Sequence, residues 1–233
     1  MGSGGWRIAS GLLIVPAVVG GLAGCGGGGG HPAATPTSSG GFSTAKLQGA
    51  LLTRINGVGA VAPPSSGRYS SVSKASAQKP GAGSVQVSPR ACSGAATERF
   101  GFDPTALAAE PAAAVTFRIG TNGVSEVLIA SSAASASTAL AGRVPAECTQ
   151  YQETIGGKTY KYGVKEQPVT GIGVQAKVLN VHAIGATADE FWSLIYRGKG
   201  FVGTVTVVGP NASEQAVQEL GEAAYDFAAK SLS

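Results

Sequence analysis

Phe191-Trp192-Ser193-Leu194-Ile195-Tyr196-Arg197-Gly198-Lys199-Gly200-Phe201-Val202-Gly203-Thr204-Val205-Thr206-Val207-Val208 is the stretch on which the fold turns. β-Branched and aromatic residues fill two runs, Phe191–Arg197 and Phe201–Val208, separated by Gly198-Lys199-Gly200. Such a pair of runs reads as a β-hairpin. In the second arm Val205 and Val207 alternate with Thr204 and Thr206, the period-two pattern of a sheet with one solvated face. Pro210-Asn211-Ala212-Ser213 then supplies a stop and a helix cap, and Glu214 places an acid in the first turn. Val217, Leu220, Ala224 and Phe227 make an apolar stripe on the helix that follows, with Gln218, Glu222 and Asp226 turned outward and Lys230 in the last turn. A hairpin joined to an amphipathic helix predicts an α+β domain in which the helix covers the sheet.

Working outward, the pattern repeats. Ile172–Val181 alternates, with Ile172, Val174, Ala176 and Val178 on one side and Gln175 and Lys177 on the other. Thr149–Ile155 and Lys158–Val164 form a hairpin around Gly156-Gly157. Ala113–Ile119 and Val124–Ala130 form another, placed around Asn122-Gly123, a type I′ turn signal. Ser132–Leu140 is Ala/Ser-rich and predicts a short helix, and Asp103-Pro104 opens a helical turn or two with Pro at the first helical position. Ser84–Val87 reads as a short strand. Gly57–Gly83 has Gly/Pro/Ser composition and reads as irregular. Ser43 or Thr44 caps a short helix carrying Leu47, Ala50, Leu51 and Ile55. The sum, over residues 43–233, is an antiparallel sheet of about six or seven strands with helices packed on one face, including a long C-terminal helix.

Residues 1–24 read as an export signal. Arg7 gives the positive start, and Gly11–Val19 is an apolar core shorter than the roughly 20 residues a spanning helix needs. Leu22-Ala23-Gly24-Cys25 resembles the bacterial lipobox, which implies acylation of Cys25 and attachment to the outer face of the cell membrane. Residues 25–42 then form a lipidated cysteine and a flexible Gly/Pro/Ser tether, which contains His31. Of the three cysteines, lipid on Cys25 leaves Cys92 and Cys148. A disulfide between them suits an oxidising compartment and contributes on the order of 4 kcal/mol by loop entropy; two buried free thiols are the alternative.

Charge is distributed unevenly. The first acid in the chain is Glu98, and Lys46, Arg54, Arg68, Lys74, Lys79 and Arg90 precede it. This basic arm either lies against anionic headgroups, at up to about 1 kcal/mol per charge, or is a solvated linker. From Glu98 onward ten bases face thirteen acids, a net charge of minus three, which argues against nucleic-acid binding.

With anchor, cysteine pair and final strand–helix unit in place, the chain resembles mycobacterial lipoproteins with a sensor-like extracytoplasmic domain, related to the outer domain of PknH-type receptor kinases. The resemblance is carried by Val85-Gln86-Val87-Ser88-Pro89-Arg90-Ala91-Cys92, by Cys148 before a strand, and by Ile195–Val207 with the Ala-rich last helix. It implies a curved antiparallel sheet with helices over it and a cleft between sheet and helix that receives a ligand. The kinase domains carry a second disulfide, for which this chain has no cysteines.

The residues give little footing to catalysis. Outside the tether the only histidine is His182, and no Gly-x-Ser-x-Gly or Ser-x-x-Lys motif accompanies it. Asp189-Glu190 is the only adjacent acid pair, too few ligands for a metal. No cofactor is expected. Phe191, Trp192, Tyr196 and Phe201 are the one aromatic concentration, with Trp192 and Tyr196 on one side of their strand and Phe191 on the other. One of these faces packs under the last helix. The other lines an apolar groove for a small ligand or is simply core. Two expectations follow: a non-catalytic module binding an apolar or glycan-like molecule at the cell envelope, or an accessory subunit docking an envelope protein partner.

Overall fold

A computed structural model describes residues 41–76, 85–94, 101–185 and 190–233. The expected signal segment, Cys25, His31 and Asp189 lie outside them. The strands are β1 (Arg54–Ile55), β2 (Val58–Gly59), β3 (Ser65–Arg68), β4 (Gln86–Ser88), β5 (Pro111–Ile119), β6 (Asn122–Ala130), β7 (Gln150–Ile155), β8 (Lys158–Val169), β9 (Gln175–Ala183), β10 (Glu190–Arg197) and β11 (Phe201–Gly209). The helices are α1 (Thr44–Gly49), α2 (Tyr69–Ser76), α3 (Ala133–Ala141) and α4 (Glu214–Leu232). Strands β3 to β11 form one nine-stranded sheet in the order β3-β5-β6-β11-β10-β9-β8-β7-β4, antiparallel throughout.

The α+β class, the antiparallel sheet and the long C-terminal helix are as the sequence reads. The sheet is larger than six or seven strands, and helices lie on both of its faces rather than one. On the front face, Val217, Ala224, Ala228 and Leu232 of α4, with Leu47 and Leu51 in and after α1, pack against Val115, Val124, Leu128, Leu194, Val205 and Val207. On the back face, Val72 of α2 and Ala136, Ala139 and Leu140 of α3 pack against Ala112, Ala114, Ile129, Ile195 and Val202. Successive strand residues point to opposite faces, so Ile195 and Val202 serve the back core while Leu194 and Val205 serve the front one. The stretch read as irregular holds β3 and α2. Ser65-Ser66-Gly67-Arg68 has no apolar alternation because it is an edge strand, held to Pro111–Ala114 by backbone pairing.

Local departures have local causes. Thr206 is not solvated: it is 8% exposed, and its hydroxyl pairs with Ser193 Oγ at 3.2 Å under the back-face cover. The β5–β6 turn sits at Gly120-Thr121, because Ile119 pairs with Asn122 and Gly120 takes the left-handed conformation at φ 60°. Asn122 is thereby freed to accept the Asn211 N–H at 3.2 Å. The Ile172–Val181 run becomes strand only from Gln175, leaving Val174 65% exposed while Ile172 is buried. Helix α4 is capped by Ser213 Oγ, which accepts the Ala216 N–H. Its buried stripe is Val217, Gly221, Ala224, Ala228 and Leu232, and Phe227 lies off it, 38% exposed. Small residues let the helix come close: a Cβ at Gly221 would stand 2.7 Å from Leu194 Cδ2. Truncating the fully buried Leu194 to alanine would cost about 3 kcal/mol.

Candidate functional site

The two cysteines of the domain meet. Cys92 lies in the 3₁₀ turn after β4 and Cys148 ends the turn before β7. They form a disulfide with Cα atoms 5.3 Å apart across 56 residues of sequence. Both are fully buried, among Tyr151, Val164, Leu179 and Val181. Beside them the Tyr151 and Tyr162 rings stack at 5.2 Å, and burial pushes Glu153 above the usual carboxylate range against the opposing Tyr151 hydrogen bond.

The four aromatic residues do not share a surface. Tyr196 and Phe201 are core, 0% and 1% exposed, meeting edge to face at 6.3 Å, with Tyr225 of α4 edge to face against Tyr196 at 5.7 Å and stacked on Phe201 at 6.4 Å. Gly203 and Gly198 make room: a Cβ at either would lie about 2 Å from the Tyr196 or Phe201 ring, respectively. Trp192 is half-buried on the same front face. Phe191 points back, against the cluster around the disulfide.

Among them sits Glu126, which the sequence reading passed over. It occupies a front-facing position of β6 between Val124 and Leu128, and that in-phase spacing was its signal. The side chain is 1% exposed, and Oε2 accepts the Leu52 N–H at 2.9 Å. Among the described residues, Glu126 Oε1 and the Tyr196 hydroxyl have no hydrogen-bond partner. Burial pushes the carboxyl up to about 8 despite the Leu52 hydrogen bond, so it is mostly neutral at pH 7. Burial likewise raises Tyr196, and Glu126 and Tyr225 add to the effect.

Two further polar arrangements frame the sheet. Lys177, on the side of its strand opposite Ala176 and Val178 as the alternation reads, is 5% exposed on the back face. Its Nζ donates to the Leu140 and Gly142 carbonyls at the end of α3, at 2.9 and 2.6 Å, and to Glu166 Oε1 at 3.1 Å. Glu166 also accepts the Val144 N–H and an Arg143 N–H. Three acceptors satisfy the ammonium, so the lysine fastens α3 to the sheet. On the front face Trp192 Nε1 donates to Glu190 Oε2 at 2.6 Å, and Asn180 Nδ2 donates to the same oxygen at 3.4 Å. Asn180 Oδ1 lies 2.9 Å from His182 Nδ1, which therefore carries the proton and donates. His182 is thus oriented by an amide with a carboxylate behind it. The contact is not with a hydroxyl, and a nucleophile–base pair does not arise from it.

An open groove of about 490 Å³ runs between α4 and the turn after β8. Val169 and Ile172 form one side, and Glu214, Gln218, Glu219 and Glu222 line the other. Glu214 Oε1 accepts from Gln167 and Gln218. The groove has a polar wall, and none of the four aromatic residues lines it. Among the described residues no three His, Cys, Asp or Glu side chains gather to hold a metal ion, and no helix is long and apolar enough to cross a membrane.

No family model matches the chain, and no curated protein matches it. Among solved structures it is similar to the extracellular domain of PknH from Mycobacterium tuberculosis, at 15% identity and a TM-score of 0.42, covering 73% of this chain and 83% of that one. It is also similar to a putative uncharacterised protein from Mycobacterium smegmatis, at 13% identity and a TM-score of 0.39, covering 73% and 84%.

Proposed function

We propose that the chain is a lipid-anchored, extracytoplasmic, non-catalytic module that takes a polar, glycan-like ligand in the groove between α4 and the sheet. The observation that carries the reading is the cysteine inventory. Three cysteines are present, Cys92 and Cys148 are joined, and the third is Cys25 of the lipobox-like Leu22-Ala23-Gly24-Cys25. A structural disulfide belongs to an oxidising compartment, and the remaining cysteine stands where a lipobox carries its acyl acceptor. Burial of Tyr196 and Phe201 removes the apolar lining an oily ligand would need, and the amide and carboxylate wall of the groove favours a ligand bearing hydroxyl groups.

Replacing Cys25 with serine tests the anchor. The variant should leave the membrane fraction and lose the lipid mass on its N-terminal peptide; unchanged partitioning would sink the reading. Native mass spectrometry of the protein taken from its own envelope should show a carbohydrate-sized adduct that Glu219→Gln with Glu222→Gln removes.

A further inference from the structure

Among the described residues, the front face of β7 and of β8 up to Lys165 carries no helix; only Gln167 and Val169, further along β8, meet α4 and the groove. Lys161 and Lys165 project from β8 on this face, both exposed; Lys161 pairs with Gln152, and Gly163 between them pairs with Gln150. The acids of the same strands, Glu153 and Glu166, fall on the alternate positions and point back. There Glu153 is buried and Glu166 holds Lys177. Among the described residues, the open face of these two strands therefore bears only positive charge.

Its border is built. Asn180, 4% exposed, donates to Glu190 and to the Phe191 carbonyl and accepts from His182, spending its hydrogen bonds on fixing that imidazole over Gly163. A Cβ at Gly163 would lie 2.6 Å from His182 Nε2, so glycine is what lets the ring lie flat on the strand. In the neutral ring, with the proton on Nδ1, Nε2 is the acceptor. A buried amide that orients a half-exposed ring adds nothing to an apolar core, and it presents an acceptor at a fixed place.

We propose that this face binds an acidic glycan strand. Lys161 and Lys165 take its anionic groups, and His182 Nε2 accepts a hydroxyl proton. The two lysines are four residues apart on one strand, about 13 Å. An occupant that engages both is extended rather than a single small anion, and the amides of Gln150 and Gln152 between and beside them suit hydroxyl groups along its length.

The test is calorimetric titration of the full chain in detergent micelles with oligogalacturonate, using maltodextrin as the neutral counterpart and phosphatidylglycerol vesicles as the rival anion. Oligogalacturonate should bind through these lysines, and any binding of maltodextrin should be indifferent to their replacement. Lys161→Glu with Lys165→Glu should weaken binding about tenfold or more, and His182→Ala about threefold, each with an unchanged thermal melt. Lys199→Glu, in the β10–β11 turn, should bind as the parent does. Equal binding by the double lysine variant would overturn the proposal. So would binding to the vesicles alone, or self-association that depends on the same lysines. Because binding is measured in micelles, its failure leaves the anchoring of Cys25 to be judged by fractionation alone.

Discussion

Strands β5, β6, β11 and β10 lie under helices on both faces, whereas among the described residues β8, β7 and β4 carry no helix over most of one face and have the other closed by the turns that carry Cys92 and Cys148. The first region holds by thickness. Leucine, valine and aromatic side chains fill both layers, and it tolerates one neutral carboxyl, Glu126. The second has too few apolar residues for that and holds by links: a disulfide, stacked tyrosines and the Lys177–Glu166 pair at its border. The difference teaches that one continuous sheet can be stabilised by two unlike means, and that the linked half is the one free to offer a polar surface.

The largest effect should come from cutting the staple. Cys92→Ala with Cys148→Ala removes a loop closure worth about 4 kcal/mol by chain entropy. Urea denaturation should show that loss, and native-state hydrogen exchange should show β4 and β7 opening before β6 and β11. Uniform loss of protection across the sheet would erase the distinction between the halves. Next comes Glu166→Gln, which leaves the buried Lys177 ammonium without its counter-charge and should cost about 3 kcal/mol. A change within experimental error would show the ion pair to be dispensable. In the dry half, Gly203→Ala forces a methyl into the Tyr196 ring and should cost about 2 kcal/mol, read from the thermal midpoint. An unshifted midpoint would mean that this layer is looser than described.

Per unit of pH the step is the smallest, and the two halves should respond with opposite signs. Glu126 has its carboxyl raised from 4.5 to about 8, so the folded state binds the proton more tightly than the unfolded chain. Stability should fall as pH rises between these values, by at most about 1.4 kcal/mol per unit. Burial also pushes Glu166 upward, but the Val144 N–H, Lys177 and Arg143 outweigh it and hold the group below its ordinary value. Its contribution is present above pH 4.5 and is lost as pH falls through the folded value. Glu126→Gln should flatten the alkaline-side slope and leave the acid-side one; a slope that survives the substitution would acquit Glu126.

Much of the fold was legible because the strands that build the dry core keep strict alternation. Leu194, Tyr196, Val205 and Val207 took the sides that their spacing demands. Ser213 caps its helix as read, and of the two candidates Ser43 and Thr44 it is Ser43 that caps α1; Ser132, read as the start of a helix, is its cap. What escaped was structure held by backbone alone, such as β3, and structure that depends on a distant neighbour. Asn122-Gly123 carries a strong turn signal, yet Gly120 takes the turn and Asn122 binds Asn211 instead. Phe227 fits a helical stripe on paper, but the close approach at Gly221 rotates the contact line away from it. For the site, the cysteine pairing was readable by counting. The front polar face was not, since alternation places Lys161, Lys165 and His182 on one side of the sheet but does not tell which side a helix will leave bare.

The position of β11 sets the order in which the chain can be assembled. It lies between β6 and β10, so the hairpin made near the middle of the sequence and the meander made later share no border until Phe201–Gly209 slides between them. A nascent chain emerging N-terminus first therefore holds two unjoined fragments with raw strand edges until nearly its last residues appear. Pairing across such sequence distances is slow to nucleate, which makes the waiting fragments natural clients for a holding chaperone and makes loss of the C-terminal tail ruinous to the entire sheet.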